Sequence, residues 1–85
     1  MKIHIKIVGF SGILSSDKKI YVKDGMRIKE VVERLAHIDE LFRKGMMRGH
    51  IVIMKNGISI NYLQGTDTIL EEGDSLLIIP MQFGG

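Results

Sequence analysis

The chain of 85 residues contains no cysteine, no tryptophan and only one proline. Without cysteine it has no disulfide framework, no thiol nucleophile and no cysteine-held zinc or iron–sulfur site. No apolar stretch approaches the roughly 20 residues that a membrane-spanning helix needs. The first residues alternate polar and apolar side chains where a signal peptide would be continuously apolar. We therefore expect a cytoplasmic protein with no membrane segment.

The excess of positive charge is small, with a net charge of +2. Because basic residues are interspersed with acidic ones, the sequence contains no continuous phosphate-binding stripe, and nucleic acid is not an expected partner. The composition, 45% hydrophobic and 26% charged, is that of a globular chain. Its length corresponds to one small domain, which we place at residues 1–80, followed by a tail at residues 81–85.

Two strands are predicted in the first quarter of the chain. Residues 2–8 alternate with a period of two, which is typical of a strand with one buried side. The apolar side of this strand carries Ile3, Ile5 and Ile7. After a loop that contains serine and glycine, Lys19–Lys23 is predicted as a second strand that returns antiparallel to the first.

The next segment predicts the only strongly amphipathic helix, which begins near Arg27. Apolar residues recur at i, i+3, i+4 and i+7 and therefore share one helical face. These residues are Ile28, Val31, Val32 and Leu35. Asp24 or Gly25 is expected to cap the helix. Its end stays open between His37 and Gly45.

Turn signals divide the second half into three strands. Asn56-Gly57 suits the two-residue turn of a hairpin because both residues tolerate positive φ. Pro80 is expected to end ladder pairing, since its nitrogen has no hydrogen to donate. A turn-rich stretch at residues 62–74 is expected to contain a short helical turn. The predicted strands are residues 50–55, Ile58–Asn61 and Ser75–Ile79.

The order strand, strand, helix, strand, strand, strand is accompanied by recognisable motifs. They are Asn56-Gly57, Leu63-x-Gly65-x-x-Thr68-x-Leu70, Gly73-Asp74 and Pro80-x-x-x-Gly84-Gly85. In this order they resemble the β-grasp sulfur carriers. The most similar family is the small subunit of molybdopterin synthase (MoaD), with the thiamin-biosynthesis carrier (ThiS) and archaeal ubiquitin-like modifiers more distant. The resemblance implies an α+β, ubiquitin-like β-grasp fold with a mixed five-stranded sheet packed on one main helix. It also implies parallel first and last strands and a flexible C-terminal Gly-Gly tail.

The resemblance further implies a carrier protein that is itself the substrate of an adenylating enzyme, not an enzyme. The carboxylate of Gly85 would be adenylated and converted to a thiocarboxylate for sulfur transfer in molybdopterin or related cofactor biosynthesis. The expected partners are a ubiquitin-activating-type enzyme and a sulfur-using synthase subunit. ATP and Mg²⁺ would come through the activating enzyme, so no bound cofactor is expected. Gly84 would give access, because a residue without Cβ passes a narrow channel and adopts φ values that other residues avoid.

Two other functions fit the same sequence. One is a protein modifier that is joined through Gly85 to lysines of target proteins. The other is a non-catalytic β-grasp binding domain. The sequence leaves the pathway and the oligomeric state open, and the bulky Phe83, where relatives carry small residues, leaves the choice of partner open.

A partner surface is expected on the uncovered face of the sheet. The last strand has apolar side chains at both alternating sets of positions. In the family alignment Leu76 and Ile78 point at the helix. Leu77 and Ile79 would then lie on the bare face near Val8 or Met54, because one helix covers only one face. We expect this patch to contact the partners together with Met81 and Phe83. The alternatives are a cover by Tyr62, the long loop or self-association, or a central strand buried on both faces.

The remaining charged groups are expected to be solvated. The basic cluster Arg43, Lys44, Arg48 and His50 is interpreted as a loop, with an anionic partner as the alternative. Likewise, Glu71, Glu72 and Asp74 are interpreted as a solvated turn. His4, His37 and His50 lack metal-ligand spacing, so no metal site is expected.

Overall fold

The structure, a computed structural model of the chain, describes residues 1–8, 15–38, 43–44 and 51–80. In these residues one mixed sheet of five strands carries one main helix on one face. The strands are β1 (Lys2–Val8), β2 (Ser15–Tyr21), β3 (Ile51–Lys55), β4 (Ile58–Ser59) and β5 (Ser75–Pro80), and the helix is α1 (Ile28–Ile38). Two short 3₁₀ turns span Ile60–Tyr62 and Gly65–Asp67. The predicted β-grasp fold is thus confirmed.

The sheet order β2-β1-β5-β3-β4 places the two ends of the described chain in the centre of the sheet. Strands β1 and β5 run parallel, with Ile5 opposite Leu76 and Ile7 opposite Ile78. The other neighbours, β1 with β2, β3 with β5 and β3 with β4, pair antiparallel. The predicted parallel contact between first and last strands is therefore confirmed.

The hydrophobic core lies between the sheet and α1. The helical positions predicted to share a face are all buried, as are alternate positions of β1 and β5. The fully buried side chains are Ile3, Ile5, Ile28, Val31, Leu35, Leu70, Leu76 and Ile78. Burial of one such side chain contributes about 1.5–3 kcal/mol, so the periodic isoleucines and valines account for the stability of this arrangement.

The start of α1 is stabilised from two sides. The side chain of Glu30 reaches back to accept the N–H of Arg27 at 3.1 Å, which is half of a capping box. The N–H of Ile28 donates to the carbonyl of Thr68 at 3.0 Å. The expectation that Asp24 or Gly25 caps the helix is wrong, because both lie in a turn before Arg27. The helix is described as far as Ile38, and the choice of end that the sequence left open depends on residues 39–42 and 45, which lie outside the described residues.

The second strand begins earlier than predicted. Strand β2 runs Ser15–Tyr21 rather than Lys19–Lys23, because its register with β1 extends from Val8 opposite Ser15 to Lys2 opposite Tyr21. Val22 then leaves the strand and is buried in the core. Its N–H donates to the carbonyl of Met1 at 2.7 Å.

Two further boundaries differ from the prediction. Strand β4 ends at Ser59 rather than Asn61, because the Ser59 hydroxyl accepts the N–H of Asn61 at 3.3 Å and starts a 3₁₀ turn. The expectation that Pro80 ends ladder pairing is wrong, because Pro80 itself is part of the ladder. It is the last residue of β5 and lies opposite Ile51.

Candidate functional site

The face of the sheet opposite α1 carries a mixed apolar and basic surface, which we call the open face. Side chains alternate along each strand, so the registers of the five strands determine its members. Its centre is aliphatic and consists of Val8, Val52, Met54, Leu77 and Ile79. Its margins carry Lys2, His4, Lys6, Asp17, Lys19, Tyr21, Ser59 and Ser75.

The predicted partner residues of β5 lie at the centre of the open face. Leu77 lies between Lys6 of β1 and Met54 of β3. Ile79 lies opposite Val52. Both β5 side chains are partly exposed, whereas their neighbours on the other face are fully buried. The expected neighbourhood of Leu77 and Met54 is confirmed.

One alternative cover for this patch does not fit the structure. Tyr62 is 85% exposed, so its ring does not pack over Leu77 or Ile79. The other predicted partner and site residues, Met81, Phe83, Gly84 and Gly85, lie outside the described residues.

A shallow depression of about 260 Å³ opens on this face beside Leu77. Its lining is mostly apolar, with polar side chains at its edge. The lining residues are His4, Lys6, Met54, Gly57, Ser75, Leu76 and Leu77. The depression is too small and too open to enclose a cofactor, but its size suits one protruding side chain of another protein.

A contact between His4 and Asp17 at the edge of the depression was not anticipated from the sequence. The Nε2 atom of His4 contacts Oδ1 of Asp17, although the residue directly opposite Asp17 in the register is Lys6. Sequence reasoning missed these residues because the pairing depends on the register between β1 and β2. An alternating strand pattern does not contain that register.

A buried carboxylate, Asp74, directly precedes the first residue of β5. It is 6% exposed, so its interpretation as a solvated turn residue is wrong, whereas Glu71 and Glu72 are exposed as expected. Its oxygens accept the N–H of Glu71 at 2.7 Å and the side-chain amide of Asn56 at 2.9 Å. The Nζ atom of Lys55 lies 3.4 Å away.

Burial alone raises the pKa of the Asp74 carboxyl. The N–H of Glu71, the amide of Asn56 and the charge of Lys55 outweigh burial and hold its pKa below the ordinary value of 3.8. A carboxyl that stays ionised and fully hydrogen-bonded is suited to bracing the turn before β5 and not to proton transfer.

In the portion of the chain that the structure describes, no cluster of histidine, aspartate and glutamate side chains is arranged to hold a metal ion. Likewise, no described helix has the length and apolarity to cross a bilayer. Of the basic cluster, Arg43 and Lys44 are exposed and helical, and Arg48 and His50 lie outside the described residues.

Comparison with known proteins gives one family match by sequence. The model of the ThiS family matches residues 5–85, which is nearly the whole chain. Among curated proteins, none matches the chain in sequence.

Three solved structures share the fold over nearly the whole chain. The HVO 2177 protein of Haloferax volcanii is 20% identical, with a TM-score of 0.75 over 99% of this chain and 87% of its own. A Pyrococcus furiosus protein described as molybdopterin converting factor, subunit 1, is 18% identical, with a TM-score of 0.73 over 96% and 99%. Small archaeal modifier protein 1 of Methanosarcina acetivorans is 21% identical, with a TM-score of 0.68 over 99% and 96%. At these identities the likeness establishes the ubiquitin-like fold.

Proposed function

This chain belongs to the ThiS family, and from that premise we propose that it is a cytoplasmic ubiquitin-like sulfur carrier whose working group is the carboxylate of Gly85. Members of the family are small carrier proteins rather than catalysts. The observation that carries the proposal is the extent of the family match, which runs through Gly84 and Gly85 to residue 85.

The chemistry follows from the properties of a terminal carboxylate. With a pKa of about 3.5 it is an anion at neutral pH and a poor electrophile. An activating enzyme would let one carboxylate oxygen attack the α-phosphorus of ATP, which releases pyrophosphate and leaves an acyl adenylate. A persulfide then displaces AMP, and a second thiol cleaves the resulting acyl disulfide to release the thiocarboxylate. ATP, Mg²⁺ and sulfur all come from partners.

The fold supplies a body from which the tail can reach a partner's active site. Strand β5 lies in the centre of the sheet, where β1 pairs with it as far as Ile78 and β3 pairs with it as far as Pro80, the residue before the tail. The five residues after Pro80 span at most about 17 Å when extended. We propose that Gly84 and Gly85 enter the activating enzyme while Leu77, Ile79, Met81 and Phe83 contact its surface and that of a sulfur-using synthase subunit.

The proposal is tested by incubating the protein with candidate adenylating enzymes from the same genome, MgATP and a sulfur donor. Intact-mass analysis first establishes that the chain ends at Gly85. The expected product is heavier by about 16 Da, the difference between sulfur and oxygen. A variant that lacks Gly84 and Gly85 serves as the control and is expected to stay folded and unmodified. If an enzyme that is active on another carrier adenylates neither this protein nor the control variant, the result contradicts the proposal.

A second candidate function is a protein modifier, which the fold likeness to small archaeal modifier protein 1 favours. Such a modifier uses the same activated carboxylate, but a lysine amine displaces AMP and forms an amide. Digestion of cell extracts would then yield a Gly-Gly remnant on target lysines. A non-catalytic binding domain would keep its activity when Gly84 and Gly85 are removed.

A further inference from the structure

The open face contains a lysine whose expected ion-pair partner is engaged elsewhere. Lys6 lies directly opposite Asp17 in the β1–β2 register, the arrangement in which opposite charges pair across strands. Asp17 instead contacts His4, which lies diagonally across from it. Within the part of the chain that is described, the Lys6 ammonium therefore has no carboxylate partner, and its side chain is exposed.

The surroundings of Lys6 are basic at the margin and aliphatic at the centre. Lys2 and Lys19 lie on the same face and are exposed. Two described carboxylates make contacts here: Asp17 contacts His4, and Glu72 accepts the backbone N–H of Lys2. Lys6 itself lines the depression beside Leu77. The Lys6 side chain therefore brings a positive charge to the mostly apolar depression.

We infer that Lys6 determines which partner the open face accepts, by pairing with a carboxylate of a protein surface whose neighbouring apolar side chain enters the depression beside Leu77. The inference rests on the proposed function, because it assigns a chemistry to the partner surface named there. Charge pairs at the margin of an apolar contact set orientation and association rate more than total affinity. The partner surface is therefore acidic around an apolar protrusion.

Two other occupants fit the described face less well. A second copy of this chain would bring Lys2, Lys6 and Lys19 against like charges, which disfavours face-to-face pairing. Sheet faces that bind single-stranded RNA stack bases on aromatic rings. The centre of the open face is aliphatic, and its two described rings, Tyr21 on edge strand β2 and His4 on β1, lie at its margin.

The test measures association between this chain and the adenylating enzyme from the same genome, without nucleotide, by surface plasmon resonance. We expect Lys6→Ala to slow association and weaken binding about three- to thirtyfold, and Lys6→Glu to weaken it further. Lys23→Ala, which removes the same charge from an exposed position outside the open face, serves as the control and is expected to bind like the unchanged protein. Raising sodium chloride from about 50 to about 500 mM should slow association of the unchanged protein far more than that of Lys6→Ala.

Three outcomes would overturn the inference, and a fourth would overturn only the proposed function. One is equal binding by Lys6→Ala and the unchanged protein while adenylation of Gly85 proceeds, and this outcome leaves the proposed function intact. Absence of adenylation with intact, salt-dependent binding would remove the proposed function and leave the role of Lys6. Self-association in sedimentation, or binding of a single-stranded RNA oligonucleotide that Lys6→Ala abolishes, would assign Lys6 to a different occupant.

Discussion

At the scale of single residues, Asp74 connects the β3–β4 hairpin to the start of β5. The side-chain amide of Asn56 donates to Asp74 at 2.9 Å, and its carbonyl oxygen accepts the N–H of Ser75 at 2.9 Å. The backbone carbonyl of Asp74 accepts the N–H of His4 at 2.9 Å. One short segment thereby fixes the register of β5 against both of its neighbours.

The protonation of Asp74 is expected to make stability depend on pH in acid. Its pKa in the folded protein lies below the ordinary value of 3.8, so folding favours the ionised form. The stabilisation is therefore complete above about pH 4 and is lost as the pH falls through the lowered pKa. Urea unfolding at a series of pH values between about 2 and 6 measures this loss.

The matched variant is Asp74→Asn, which keeps the shape and removes the charge. It leaves one of the two N–H donors at this site facing an amide NH₂, so we expect the free energy of unfolding to fall by about 1–3 kcal/mol at neutral pH. The acid-dependent loss should shrink in this variant. An unchanged acid dependence would assign the effect to other carboxyls.

The hairpin turn provides a second prediction at this scale. Asn56 and Gly57 adopt φ values of 51° and 83°, as a turn with two left-handed residues requires. A Cβ on Gly57 would meet no atom within 4 Å, so the cost of Gly57→Ala comes from backbone conformation alone. We expect a loss of about 1–2 kcal/mol in the free energy of unfolding, measured by urea denaturation. A neutral or stabilising result would contradict the assigned turn.

At the scale of elements, α1 depends on contacts with the loop that follows β4. The guanidinium of Arg27 donates to the carbonyl of Asp67 at 2.8 Å, and Nζ of Lys29 lies 3.0 Å from its carboxylate. The hydrogen bond and charge of Lys29 lower the pKa of Asp67. These groups are exposed, so they orient the loop and add little stability.

The buried member of this loop, Thr68, is expected to matter more. Its hydroxyl donates to the carbonyl of Gly65 at 2.7 Å and accepts the N–H of Gln64 at 3.1 Å, and the residue is 6% exposed. Thr68→Val keeps the volume and removes both bonds, so we expect a loss of about 1–3 kcal/mol in the free energy of unfolding. Thr66→Val, an exposed position in the same loop, is the control and should change stability by less than about 0.5 kcal/mol. Equal effects would refute the role of the Thr68 hydroxyl.

Elements set by periodicity were predictable, and boundaries set by single hydrogen bonds were not. The alternation in β1 and the helical face from Ile28 to Leu35 arise from neighbouring residues, so both were found. The early end of β4 depends on the hydroxyl of Ser59, and the helix start depends on Glu30 and the distant Thr68. These contacts do not repeat along the chain, so periodicity does not reveal them, and the contact with Thr68 is also distant in sequence.

At the scale of the whole molecule, the part of the site that depends on a single strand was predictable. The apolar run of β5 and the presence of a single helix placed Leu77 and Ile79 on the uncovered face. Lys6 and His4 were missed because their neighbours are determined by the registers of β1 with β2 and β5. Asp74 was misjudged because its burial results from the packing of Asn56 and Lys55 around it.

The same geometry predicts that docking can be separated from folding. Leu77 is partly exposed at the centre of the open face, so Leu77→Glu places a charge where a partner would bury an apolar side chain, while the core side chains on the opposite face stay in place. Ile58→Glu makes the same change at a side chain that is 50% exposed on edge strand β4 and lies on the other side of the sheet. We expect Leu77→Glu to slow thiocarboxylate formation on Gly85 at least about tenfold, with Ile58→Glu near the unchanged rate and both variants folded by circular dichroism. If the two variants react equally fast, the partner approaches the tail without contacting the open face. That result would contradict the roles proposed for both Leu77 and Lys6.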